Sequence, residues 1–339
     1  WTSIEVSNSQ SVPDIPTGVV GRFTFDDDAC KLLCTALQTS THVEHVDMSH
    51  NSVTMVGGLF IAEMLHENRG LTSVNLSHNP IGLGLFHFMK ALKINDFVTE
   101  LNVEDCGGAE MYLETVRLLT KVNRETAMLK RETLSLLEDP GGHRVLCVHG
   151  EITAGLNPCS PFRRKKQLDD ASMETLAAVM DLSSAIQTMD LSYNAIQSCG
   201  LQWLITNALT RGQQNITSLN VSHNCLDNDA IETLLECTTS TLAQLRSVDV
   251  SFNRISDVAL DSLVRLLEQN PGLEFLRVEG NSGMSALGCE RVTFLEKVNQ
   301  RACPEARRQL IDASHRMSTL HTLCFDGLNG EARHRLSEE

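Results

Sequence analysis

Ile216-Thr217-Ser218-Leu219-Asn220-Val221-Ser222-His223-Asn224-Cys225-Leu226 is the stretch from which the fold of this chain can be read. Apolar residues stand at its first, fourth, sixth and last positions, with an Asn at the ninth. That is the wording L-x-x-L-x-L-x-x-N/C-x-L. The Leu219-x-Val221 pair, spaced at period two, puts both side chains on one face of a short strand and Asn220 on the other. Asn224 suits the turn that follows, where its amide bonds backbone groups no neighbouring strand reaches.

The same phrase recurs on both sides. Upstream it reads Val43, Val46, Met48, Asn51, Val53, and then Leu71, Val74, Leu76, Asn79, Ile81. A third copy, Val98, Leu101, Val103, Cys106, lacks the last apolar position. After a gap come Ile186, Met189, Leu191, Asn194, Ile196; downstream of the quoted copy stand Leu245, Val248, Val250, Asn253, Ile255 and Leu273, Leu276, Val278, Asn281, where Gly283 breaks the pattern. First positions step by 28 (43 to 71), 27 (71 to 98), 30 (186 to 216), 29 (216 to 245) and 28 (245 to 273). Between copies, apolar residues at spacings of three and four mark a helix with one buried stripe, as in Leu201, Leu204, Ile205, Leu209 and Leu260, Leu263, Leu266, Leu267.

Repeat length, a full helix after each strand, and phrases such as Leu76-Ser77-His78-Asn79 and Leu191-Ser192-Tyr193-Asn194 resemble the ribonuclease-inhibitor-like leucine-rich-repeat family, over roughly residues 43–110 and 186–300. The resemblance implies an α/β solenoid, a horseshoe with a parallel concave sheet and convex helices, and protein partners. The family includes inhibitors, GTPase activators, innate-immune sensors, actin-capping modules and ciliary scaffold subunits, and the resemblance does not choose among them.

A longer period lies over the short one. Lys121-Val122-Asn123-Arg124 parallels Lys297-Val298-Asn299-Gln300 at an offset of 176, and Leu146-Cys147-Val148-His149-Gly150 parallels Leu323-Cys324-Phe325-Asp326-Gly327 at 177. Two related halves are expected, each opening with an amphipathic helix: Ala29, Leu32, Leu33, Ala36, Leu37 in one, and Met173, Leu176, Ala177, Met180 in the other. The expected organisation is a leader and capping helix over 1–42, a first half over 43–154, a connector over 155–170 and a second half over 171–339. Gly155, Pro158 and Pro161 break regular structure in the connector, and Arg163-Arg164-Lys165-Lys166 is a basic run that reads as a solvated loop, as a nuclear-import patch or as a docking point for an acidic partner.

Composition narrows the function. A net charge of −15 argues against nucleic acid, whose binders carry a basic face. No apolar run is long enough to span a bilayer, so no membrane association is expected. Eleven cysteines, odd in number and set in apolar patterns, read as reduced core thiols of a cytoplasmic protein and not as a secreted framework. No phosphate-binding loop, Cys-x-x-Cys pair, His-Glu-x-x-His or nucleophile elbow occurs. Neither catalysis, a cofactor, a metal nor a small-molecule substrate is expected.

The register projects one set of side chains out of each strand. Its middle ladder is Asp47, Asn75, Asn102, Asp190, Asn220, Asp249 and Arg277, flanked by serines (Ser49, Ser77, Ser192, Ser222, Ser251) expected to face outward as well. Just beyond runs a second ladder of His50, His78, Asp105, Tyr193, His223, Phe252 and Gly280. Asp, Asn and Ser either belong to the repeat consensus or form a face that receives basic side chains. Histidine and aromatic residues in a row suit a contact surface, whereas His50 and His78 alone make a poor metal site. The candidate partner-binding set is Asp47, His50, Asn75, His78, Asp190, Tyr193, Asn220, His223, Asp249 and Phe252. The function expected is a non-enzymatic protein-interaction scaffold in an intracellular, cytoskeletal or ciliary assembly. The alternative is a regulator of a small GTPase resembling the Ran GTPase-activating proteins.

Overall fold

In a computed structural model, residues 2–7, 25–142, 144–150, 167–209, 215–238, 242–301 and 306–311 are described. They divide into two compact units, one running to Lys130 and the other beginning at Arg131. The basic run at 163–166 and the segment 323–327 lie outside the described residues.

The first unit alternates strand and helix: β1 (Ser3–Glu5), α1 (Asp27–Leu37), β2 (His45–Asp47), α2 (Met55–Glu67), β3 (Ser73–Asn75), α3 (Leu85–Ile94), β4 (Glu100–Asn102) and α4 (Glu110–Arg124). Helix α5 (Ala127–Glu138) follows, and the division between units falls within it. The second unit continues with β5 (Val145–Cys147), α6 (Met173–Met180), β6 (Thr188–Asp190), α7 (Ser198–Leu204), β7 (Ser218–Asn220), α8 (Asn228–Thr238), β8 (Ser247–Asp249), α9 (Leu260–Gln269), β9 (Phe275–Arg277) and α10 (Ala286–Arg301).

Every strand pair is parallel and in register with the repeats: Val46 beside Val74 beside Leu101, and Leu146, Met189, Leu219, Val248, Leu276 in line. These residues, and their partners two positions on (Met48, Leu76, Val103, Leu191, Val221, Val250, Val278), are all buried. Each unit is thus an α/β leucine-rich-repeat solenoid, with one thin aliphatic layer per repeat between strand and helix.

Four particulars differ from the sequence reading. The strand at 145–147, expected to close the first half, belongs to the second unit, so the sheets have four and five strands. After β4 the chain enters α4 and α5 in succession, so no strand follows until β5, and β5 pairs with β6. The leader contributes a strand: β1 pairs with β2, and Asn51 Nδ2 donates to Val6 O at 2.9 Å. Helix α1 turns a different face inward, burying Cys30, Cys34 and Leu37 while Leu32 is 75% exposed. The flanking serines are buried, because each is drawn against the Asp or Asn two residues before it.

Buried asparagines knit the repeats together. Asn253 Nδ2 donates to Val250 O in its own repeat (3.1 Å) and to Val221 O in the one before (3.0 Å), while its Oδ1 accepts from Leu226 N (3.0 Å). Asn79, Asn194, Asn224 and Asn281 do the same, and Cys106 Sγ stands in for the amide by donating to Leu76 O at 3.0 Å. Such bonds satisfy carbonyls at the strand ends that would otherwise be buried without partners.

The helix ends carry the mark of the longer period. Asn123 Nδ2 donates to Asn95 O (3.0 Å) and Val98 O (2.7 Å); Asn299 Nδ2 donates to Asn270 O (3.2 Å) and Leu273 O (3.0 Å). Arg124 Nε reaches Thr99 O at 2.9 Å, and Gln300 Nε2 reaches Glu274 O at 2.6 Å. Lys130 Nζ bonds Leu92 O at 3.0 Å, and Arg307 Nη2 bonds Leu267 O at 2.8 Å. Donors and acceptors alike match at offsets of 175–177 residues, so the same carbonyls near the ends of α3 and α9 are closed in the same way.

Candidate interaction surface

Each strand ends by turning sharply, and one residue of the turn takes a left-handed backbone. Those residues are His50 (φ 56°), His78 (57°), Asp105 (53°), Tyr193 (58°), His223 (54°) and Phe252 (53°), and Gly280 (71°) continues the series. They are the outer ladder read from the sequence. An L residue bears a steric cost in this region, and bulky ones are rarely found there.

The side chains at these positions stack on one another. In the first unit the His50 and His78 rings lie 4.1 Å apart at 17°. His78 Nδ1 then meets Asp105 Oδ2 at 3.2 Å, so the ladder ends in an ion pair when the imidazole is protonated. In the second unit Tyr193, His223 and Phe252 form a continuous stack, with centroids 4.1 and 4.2 Å apart and planes within 10°. Ring contacts of this kind are worth about 0.5–1.5 kcal/mol each, which offsets the backbone cost.

Glycine bounds the three-ring stack at both ends. Register pairs Cys147 with Asp190, so Gly150 occupies the ladder position before Tyr193; a Cβ on it would fall 1.7 Å from Tyr193 O. At the other end a Cβ on Gly280 would lie 2.4 Å from Cδ1 of Phe252. The facing ring surfaces of Tyr193, His223 and Phe252 cover one another, Gly280 abuts the Phe252 ring, and Phe252 remains 51% exposed. The sequence reading missed Gly150; counting three residues on from Cys147, as from Asp190 to Tyr193, would have found it.

The middle ladder has two roles at once. Asp47 Oδ1 accepts from Ser49 N (2.9 Å) and Ser49 Oγ (2.6 Å), and Asp249 Oδ1 accepts from Ser251 N (3.0 Å) and Ser251 Oγ (2.5 Å). Asn75, Asp190 and Asn220 cap the same N–H. One oxygen of each is therefore committed to holding the turn, which explains why Asp or Asn recurs there. The other side of the group faces along the sheet: Asn75 Nδ2 donates to Asp47 Oδ2 at 3.0 Å, and Arg277 Nη1 approaches Asp249 Oδ2 at 3.7 Å. Burial raises the Asp47 carboxyl, but the bonds from Ser49 and Asn75 outweigh it and hold the group below the ordinary carboxylate range. The chain's own Arg277 thus displays what this face accepts, a guanidinium laid against a carboxylate of the ladder.

The rings of His50 and His78 lie face to face. Among the described residues no three His, Cys, Asp or Glu side chains come together to hold an ion. Nor is any helix among them long and apolar enough to cross a membrane.

Strand, Asn-bearing turn and outer helix, stacked side by side, are the architecture of a leucine-rich-repeat solenoid. The leucine-rich-repeat family model matches residues 39–62, 67–83, 212–235 and 243–264. Among curated proteins, the chain is 31% identical to rat leiomodin-2 over 116 residues, 33% of this chain and 19% of the relative. It is 31% identical to bovine tropomodulin-4 over 103 residues, 30% of this chain and 27% of that one. The matched stretch thus covers at most about a quarter of these relatives' length. Of solved structures, the actin-binding site 2 of leiomodin-1 is 22% identical, over 40% of this chain and 86% of that one, with a TM-score of 0.28.

Proposed function

We propose that the chain is a non-enzymatic protein-interaction scaffold of a cytoplasmic, cytoskeleton-associated assembly, and that it binds its partner along the two ladders. The observation that carries this reading is the bounded stack Tyr193–His223–Phe252 beside Asp190, Asn220 and Asp249. Rigid rings lose little freedom on binding, and aromatic residues concentrate in interface hot spots. The acidic ladder beside them suits lysine or arginine side chains of the partner, as Arg277 beside Asp249 illustrates. His50 and His78, with Asp47 and Asn75, form the corresponding surface of the first unit.

The stretches shared with leiomodin-2 and tropomodulin-4 favour the actin-capping branch of the repeat family over a GTPase regulator. Actin filaments are therefore the first ligand to assay, by co-sedimentation of the full chain. The protein and an Arg265→Ala control, on the outer face of α9, are expected to pellet with filaments. Replacing Tyr193 and Phe252 by Ala, or His50 and His78, is expected to weaken binding about tenfold or more, as loss of hot-spot side chains does. Pelleting unchanged in both double variants would remove the ladders from the interface. Failure to pellet with actin or microtubules, together with stimulated hydrolysis by a purified small GTPase, would move the assignment to the regulator reading.

A further inference from the structure

The second surface is on the rim of the first unit, at the end where strands finish and helices begin. Three successive turns meet there, 54–56, 82–84 and 107–111, and glycines let them pack closely. A Cβ on Gly84 would lie 3.4 Å from Met55 Cα, one on Gly108 would lie 2.8 Å from Gly82 O, and Gly82 N donates to Cys106 O at 2.8 Å. The Phe86 and Tyr112 rings meet at 5.8 Å just behind the last two turns. Along this line four apolar side chains face solvent, Met55 (49% exposed), Val56 (50%), Leu83 (65%) and Met111 (63%), with Thr54 and Glu110 exposed beside them.

The repeat itself does not require this. In the second unit the positions equivalent to Met55 and Val56 carry Ser198 and Cys199, Asn228 and Asp229, and Asp257 and Val258, so that Val258 (82% exposed) stands alone among polar residues, and Asp257 and Asp170 are spent on backbone amides of the next repeat. Scattered exposed leucines mean nothing, but a row of them across three packed turns is a patch of the kind that marks an interaction site.

The charges around the patch indicate its occupant. Asp26, Asp28, Glu104, Glu110 and Glu114 are exposed at the same end of the first unit. The nearest cations are occupied: Lys90 lies over the Phe86 ring at 4.4 Å, and Arg117 Nη1 approaches Glu110 Oε1 at 3.7 Å. Neighbouring helices of an array stand roughly 8–10 Å apart. An α-helix advances about 10.5 Å in seven residues, so apolar residues at i, i+7 and i+14 meet successive turns. We propose that this rim docks an amphipathic helix of a partner protein, its apolar stripe on Met55, Val56, Leu83 and Met111 and its flank lined with lysine or arginine toward the acidic border. This site is separate from the ladders and does not rest on them.

The test uses the full chain and three labelled synthetic helices of equal length: one with a leucine stripe and a lysine flank, one with the same stripe and a glutamate flank, and one scrambled so that the stripe is lost. Fluorescence anisotropy reads binding. The lysine-flanked helix is expected to bind, and the other two to bind at least about tenfold more weakly. Leu83→Lys combined with Met111→Lys is expected to weaken the first helix by a similar factor, while Val258→Lys on the second unit leaves it unchanged. Both changes are at exposed positions, and circular dichroism checks that the fold is kept. Equal binding of the scrambled or glutamate-flanked helix overturns the proposal, as does absence of binding or indifference to the double substitution. Sedimentation of the chain alone completes the test: self-association abolished by the same substitution would make a second copy the occupant and refute the partner helix.

Discussion

His223 offers a way to weigh backbone strain against stacking at one position. It sits at φ 54° between Tyr193 and Phe252, with ring centroids at 4.1 and 4.2 Å. Substitution by Ala removes two ring contacts, about 1–3 kcal/mol together, and keeps the left-handed backbone cost of an L residue. Substitution by Gly removes the same contacts but relieves about 1 kcal/mol of that cost. The Gly variant is therefore expected to be destabilised, yet about 1 kcal/mol more stable than the Ala variant. Urea unfolding followed by Trp203 fluorescence reads the second unit, in a Trp1→Phe background that leaves Trp203 as the sole tryptophan. The mirror experiment is Gly280→Ala, where a Cβ enters at φ 71° and collides with the Phe252 ring, so both effects destabilise. If His223→Gly is no more stable than His223→Ala, the turn is not strained. If neither variant differs from the parent, the stack contributes nothing.

Three further outcomes are expected. Asn253→Ala strips donors and an acceptor from Val221 O, Val250 O and Leu226 N; at about 1–3 kcal/mol per buried group left unpaired, it should cost roughly 3 kcal/mol or more, and hydrogen exchange at the Leu226 amide should quicken, whereas a loss below about 1 kcal/mol would count against the asparagine ladder. Lys130→Met removes the shared donor of Leu92 O, Asn95 O and Asp96 and should destabilise the first unit by about 1–3 kcal/mol, because buried carbonyls lose their donor while the half-exposed Asp96 returns to water, without moving the Trp203 transition. Glu296 is raised above the ordinary carboxylate range, first by burial and then by Glu279 nearby. Because its folded pKa exceeds the unfolded one, the native state binds the extra proton, so the penalty is present above the folded pKa and fades as pH falls to the unfolded value. Glu296→Gln should stabilise the second unit near neutral pH and remove that part of the gain on acidification; an unchanged pH profile would contradict it.

The strands were legible because their signal is doubled: a period of two inside each copy and a fixed step between copies. Leu219 and Val221 could face only inward once the neighbouring pairs fell into the same phase. The outer ladder was legible too, as a position, but its left-handed backbone was not, since Tyr193 and Phe252 carry no preference for positive φ that would announce it. Ser49 and its equivalents were placed outside by alternation alone; the Asp-x-Ser contact that draws them in is a local preference which alternation does not encode. Helix α1 has Leu32 and Leu33 competing with Cys30 and Cys34 for one stripe, and the thiols win because their neighbour is Gly57, whose carbonyl Cys30 Sγ approaches at 3.7 Å. Strand β1 went unseen because the repeat step does not hold between Ile4 and Val46. We further propose that the two arrays are related halves, as the donors Asn123 and Asn299 and the cations Lys130 and Arg307 suggest by closing corresponding carbonyls. No copy of the repeat phrase contains those residues.

Those two cations have a bearing on how such a chain is inherited. A stack of repeats has a raw end wherever it stops, with carbonyls and aliphatic edges open to water. Lys130 and Arg307 each seal one such end with a side chain supplied from just past the final repeat. On the proposal that the two arrays are related halves, each inherits its closing side chain together with its repeats.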